Sequence, residues 1–138
     1  MQVRRLKTKA QFQALLACPP VARTEHFVMH RLDLSETGQP QQVHTEHPLF
    51  GGALLWQGAM VPKRWSRRAV TRNLIKRQIY SLPEGSLDLP AAYLVRQRAS
   101  FDRLQYKSAS SQALRGVVRA EIAKLVQKAT RIQPKEAV

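Results

Sequence analysis

Lys63-Arg64-Trp65-Ser66-Arg67-Arg68-Ala69-Val70-Thr71-Arg72-Asn73-Leu74-Ile75-Lys76-Arg77 carries seven of the chain's 23 lysines and arginines and no acid. Laid on a helix from about Arg67 to Leu82, Arg72 and Lys76 stack four apart, as do Asn73 and Arg77. All four then share one face, beside an apolar stripe of Ile75, Ile79 and Leu82. Such a helix is anchored by the stripe and presents the cations. Crowded like charges repel, and a polyanion would neutralise them and release counterions. Arginine adds a planar fork that suits phosphate oxygens, where lysine acts as a point charge. A charge run is ordinarily a solvated face. Against that stand the lack of any acid from His47 to Pro83 and an amide, Asn73, set among cations.

Strand signals flank this helix. Leu54-Leu55-Trp56 and Ala59-Met60-Val61, on either side of Gly58, predict one bent strand or a hairpin ending before Pro62. Downstream, the turn residues Pro83, Gly85 and Pro90 lead into a strand, Ala91-Ala92-Tyr93-Leu94-Val95-Arg96. A last helix, from about Ser110 to Arg131, has Leu114, Val117, Val118, Ile122, Leu125, Val126 and Ala129 at spacings of three and four. Upstream, Thr8-Lys9-Ala10-Gln11 has the form of a capping box, and Phe12, Leu15 and Leu16 follow at helical spacing. That helix must stop by Cys18, because Pro19 and Pro20 oppose its continuation. His26 to Leu32 reads as a strand with Val28, His30 and Leu32 on one face and Phe27, Met29 and Arg31 on the other. Ser35 to Pro48 is polar, turn-rich and without period, which predicts an exposed connection. The strand-helix-strand-helix ending argues for an α/β two-layer sandwich, about four strands with about three helices, over a bundle or barrel.

The 138 residues suit a single domain over 1–132, with 133–138 a disordered tail. A formal net charge of +14 and a pI of about 11.1 point to a polyanionic partner. Cys18 is the sole cysteine, so neither an intrachain disulfide nor a cysteine zinc cage is available, and a reducing cytoplasm fits. No apolar run approaches the ~20 residues that span a bilayer.

Ala69-Val70-Thr71-Arg72-Asn73-Leu74-Ile75-Lys76-Arg77 resembles the Arg-Asn-x-x-Lys-Arg signature helix of the bacterial ribonuclease P protein subunits. Arg5-Leu6-Lys7 with Phe12-Gln13 resembles that family's opening, His26-Phe27-Val28-Met29 its first marked strand, Val61-Pro62-Lys63-Arg64 the strand end before the signature helix, and Tyr93-Leu94-Val95 its late strand. The resemblance implies a small fold like the second domain of ribosomal protein S5, with a left-handed crossover between parallel strands, against the usual right-handed rule. It implies a protein that assists a catalytic RNA. That RNA, with Mg2+ held mainly by the RNA itself, hydrolyses the phosphodiester joining the 5′ leader to precursor tRNA, one protein serving each RNA. Carried over by position, Arg72, Asn73, Lys76 and Arg77 would contact the RNA subunit, with Lys63, Arg64, Arg67 and Arg68 extending the patch. Phe12 and His30 would line a leader cleft, where flat side chains stack on unpaired bases with little sequence demand. Leu74 and Tyr80 stand where arginines are frequent in the family, and His30 where a tyrosine is common.

On periodicity alone Phe12 reads more as core packing than as a stacking residue, and the resemblance brings the two readings level; Trp65 could stack on a base, but a tryptophan after a strand more often covers a core edge. His26, His30, His44 and His47 form no familiar metal-ligand spacing, and the nine acids are scattered, so neither a metal site nor a catalytic group of the protein's own is expected. A structural RNA-binding protein of ribosomal type would share the charge and size. A basic membrane-surface protein is opposed by the narrow apolar stripe of the cationic helix.

Overall fold

The computed structural model describes residues 3–34, 50, 55–82, 87, 91–101 and 112–131. The capping box forms as written: Thr8 Oγ1 accepts from Gln11 N at 3.1 Å, and Gln11 Oε1 accepts from Thr8 N at 3.1 Å. It opens helix α1, Lys9–Ala17, which ends at Cys18 ahead of the proline pair. The marked strand is β3, Phe27–Asp33. Of the two options around Gly58, a single strand forms, β4, Leu55–Met60. It leads to helix α2, Ala69–Tyr80, then strand β5, Ala91–Gln97, and helix α3, Gln112–Arg131.

Two short strands escape the sequence reading and raise the sheet from about four strands to five. They are β1, Val3–Arg5, and β2, Pro20–Arg23. Both lie at the margins of the order β1-β4-β5-β3-β2. An edge tolerates Pro20 as a first strand residue, since half of an edge strand's backbone groups need no ladder partner. The register shifts between Pro20 and Ala22, and β2 pairs antiparallel with β3. β3 pairs antiparallel with β5, while β4 is parallel to both β5 and β1.

Alternation along the strands divides the core. Phe27, Met29, Leu55, Ala59, Ala91, Tyr93 and Val95 face α2 and α3, joining Leu74, Ile75, Ile79, Leu114, Val118, Ile122 and Leu125. The opposite face, with Trp56, Ala92 and Leu94, packs Leu6 and Leu15 beneath α1. Leu15 is fully buried, whereas Leu16, read as part of the same stripe, is 40% exposed. A Cβ on Gly58 would stand 2.4 Å from Leu6 Cδ1, so the absent side chain is what lets Leu6 lie on the sheet. Glu121 on α3 fastens the β2–β3 turn: its carboxylate accepts from Thr24 Oγ1 and His26 N at 2.7 Å and from the His26 ring at 2.8 Å. Burial opposes its ionisation, but these bonds and the ring's charge outweigh it and hold the carboxyl below its ordinary value. The expected connection at 35–48 and the expected tail at 133–138 lie outside the described residues.

Candidate nucleic-acid interface

The cationic stretch begins with a turn. Pro62 O accepts from both Trp65 N and Ser66 N at 3.1 Å. Ser66 Oγ then donates to Gln97 Oε1 at 2.7 Å, and Gln97 Nε2 donates to Ala99 O at 2.9 Å. Ser66 and Gln97 are both buried, so this polar pair is satisfied internally and locks the turn to the end of β5. Lys63, Arg64, Arg67 and Arg68 are left exposed on a fixed scaffold at the start of α2.

Along α2, Leu74, Ile75 and Ile79 are buried, and Asn73, Lys76 and Arg77 are exposed together on the opposite side. That is the division the spacing predicts. Arg72 differs from the expectation. It is half-buried, and its Nη1 donates back to Ser66 O at 3.1 Å and Arg67 O at 2.7 Å, so part of its fork closes the turn. Among the described residues, no cation between Lys63 and Arg77 is paired with a carboxylate. The first turn of α2 holds no acid, and Arg68 at its N-cap makes no side-chain capping bond. The N-terminal N–H groups and the positive end of the α2 dipole thus follow directly on four exposed cations, an arrangement that a bound anion would stabilise.

Two aromatic supports go unnoticed in the sequence. Arg5 of β1 lies 4.0 Å over the Tyr80 ring, and Arg64 lies 5.3 Å over Trp65. Tyr80 of α2 thus carries a cation lent by β1. No local pattern announces this, because the contact joins β1 to α2.

On the other face of the sheet, Phe12 is half-buried against the cluster of Leu6, Leu15, Trp56 and Leu94. His30, expected to offer its ring in a cleft, is only 3% exposed. Its Nδ1 donates to Cys18 O at 2.8 Å, and its Nε2 accepts from Arg96 Nε at 3.1 Å. Burial foremost pushes its pKa below the ordinary imidazole value. The bond to Cys18 works the other way, and the charges of Arg96 and Arg23 add to the lowering. In this arrangement His30 has no open ring face to stack on a base. Arg96, not singled out from the sequence, is its half-exposed neighbour.

Among the described residues, no group of three or more His, Cys, Asp or Glu side chains stands where it could hold a metal ion. Nor, among those residues, is any helix long and apolar enough to cross a membrane.

A family model described as Ribonuclease P matches residues 1–130. The chain is 31% identical over 134 residues to the ribonuclease P protein component of Paraburkholderia xenovorans (strain LB400), covering 93% of this chain and 81% of that relative. It is 31% identical over 133 residues to the ribonuclease P protein component of Ralstonia pickettii (strain 12J), covering 92% and 79%. Its fold is similar to the solved Staphylococcus aureus RNase P protein, with a TM-score of 0.56 at 17% identity, over 94% of this chain and 97% of the other. With the family model spanning all five strands and nearly all of α3, the chain belongs to the ribonuclease P protein family.

Proposed function

We propose that this chain is the protein subunit of a bacterial ribonuclease P. It binds the catalytic RNA through the α2 face and the preceding turn, holds the 5′ leader of precursor tRNA in the cleft beside α1, and so promotes Mg2+-dependent removal of that leader. The exposed triad Asn73, Lys76 and Arg77, with no carboxylate partner among the described residues, is the observation that carries the reading. Phosphates of a folded RNA would neutralise that face, and each neutralised phosphate releases counterions. Membership of the ribonuclease P protein family supports assigning the hydrolysis and the Mg2+ to the RNA subunit. On this reading Asn73 acts on that ion through its coordinated waters. On this reading one protein serves each RNA, since both proposed contact surfaces belong to a single chain.

Reconstitution with a bacterial ribonuclease P RNA and a precursor tRNA tests this directly. Added protein is expected to raise the cleavage rate at low Mg2+ and to favour precursor over mature tRNA. Tight RNA binding without stimulation would instead identify a structural RNA-binding protein of ribosomal type. Cleavage by the protein alone would overturn the division of labour.

A further inference from the structure

α2 and α3 pack side by side on one face of the sheet and leave between them a cleft of about 420 Å³. Its floor is Leu82, just past α2, with Ile122 and Val126 of α3, and its rim carries Gln78, Ser81 and Arg119. Arg119 bridges the two helices, since its Nε donates to Gln78 Oε1 at 3.2 Å. That bond occupies Nε and leaves the two terminal amino groups of the guanidinium to donate. Gln78 keeps its amide N–H groups, and Ser81, whose hydroxyl donates to Arg77 O at 2.6 Å, keeps its oxygen lone pairs to accept. The rim thus offers both donors and acceptors above an apolar floor.

The charge around the cleft has one sign. No acid lines it, and no carboxylate pairs with Arg77, Arg115 or Arg119 among the described residues. Arg115 stands one turn before Arg119 on α3, and Arg77 one turn before Ser81 on α2. Both are exposed, so each wall of the cleft continues into a cation.

We propose that this cleft seats one unpaired nucleotide of the RNA subunit, its base on the apolar floor and its flanking phosphates on Arg119, Arg115 and Arg77. The proposal rests on the reading of α2 as an RNA-binding face and gives that face a pocket. Each part of such a ligand has a counterpart. A nucleobase has apolar faces and an edge of donors and acceptors, which the floor and the Gln78 and Ser81 side chains match. The phosphates on either side suit guanidinium forks. A wholly apolar occupant would instead cover the Arg119 amino groups and leave them unpaired. The volume falls within the range of ligand sites, roughly 300–1,000 Å³, which admits a nucleotide splayed from its stack and not a duplex. The cleft opens beside Arg77 of the α2 face and lies across the sheet from α1, so it serves the RNA on α2 and not a strand held beside α1.

The test uses the full chain and a bacterial ribonuclease P RNA, with chemical probing of every unpaired base in the free RNA and in the complex. Binding of the wild-type chain is expected to shield one such base in a way that depends on the cleft. Ala123 lines the cleft and is exposed, so Ala123→Trp fills the space without altering the core or a charge. That variant should restore reactivity at the shielded base and lose about tenfold in RNA affinity, the scale of one seated base, with the salt slope kept. Arg119→Gln should lose about tenfold and also lower the slope by about one. Urea midpoints of both variants are expected to match wild type, which separates a lost contact from a lost fold. Unaltered affinity and shielding in Ala123→Trp would leave the cleft to another occupant, a protein segment or a small molecule, and overturns the proposal. A wild-type chain that fails to bind the RNA, or whose salt slope ignores Lys76→Ala, overturns the α2 reading beneath it instead.

Discussion

Arg72 and Lys76 stand one turn apart on α2 and serve differently. Arg72 spends hydrogen bonds on Ser66 O and Arg67 O, so it holds the basic turn as well as carrying charge. Lys76 is exposed and has no carboxylate partner among the described residues. Lys76→Ala is expected to lower the salt slope of RNA-subunit binding by about one and to leave the thermal midpoint unchanged. Arg72→Ala should lower the same slope and also destabilise the free protein by about 1 kcal/mol, a modest value because the guanidinium is only half-buried. Titrations at several salt concentrations, paired with urea unfolding, separate the two effects. A Lys76→Ala protein with unchanged slope would remove the central residue from the interface. At Gly58 the constraint is steric. Gly58→Ala sets a Cβ 2.4 Å from Leu6 Cδ1 and 2.9 Å from Leu6 Cγ, and displacing so buried a leucine should cost about 1–3 kcal/mol in urea unfolding.

Among the elements, α3 is joined to the β2–β3 turn by one carboxylate. The folded-state pKa of Glu121 is lowered, so its contribution is present above the unfolded value and is lost as pH falls through the folded one. Glu121→Gln should therefore be less stable than wild type by about 1–3 kcal/mol at neutral pH, and the gap should close in acid below the ordinary glutamate range. Urea midpoints across a pH series measure this, and a gap independent of pH would mean the charge is irrelevant. The elements also show what a sequence can announce. The cap of α1 was legible because both its partners, Thr8 and Gln11, lie within one turn. The buried and exposed sides of α2 were legible because helical period alone sets them. β1 and β2 were not, since three arginine-rich residues and a proline-led segment become strands only through partners elsewhere, Leu55 and Val28 among them. The same holds within the site. Burial of His30, the stacking of Arg5 on Tyr80 and the return of Arg72 to the turn are tertiary facts with no local period.

For the whole molecule, a net charge of +14 is self-repulsion that folding must overcome, and the α2 face, whose cations have no carboxylate partner among the described residues, concentrates it. Inorganic phosphate should raise the thermal midpoint of the free protein more than sodium chloride at equal ionic strength, because ligation of the folded state adds to general screening. Identical shifts from the two salts would reduce the effect to screening alone. The sheet's connectivity has a further consequence for biosynthesis. Val3 finds its partner in Leu55 and Phe27 finds its partner in Gln97, so each waits for a distant stretch of polypeptide. During translation the opening arginines leave the ribosome well before the strand that will fix them is made. Among the described strands, β2 and β3 have each other as near partners in sequence and can settle early on the nascent chain with α1, whereas the platform for Arg5 beside Tyr80 is completed after α2 itself has emerged.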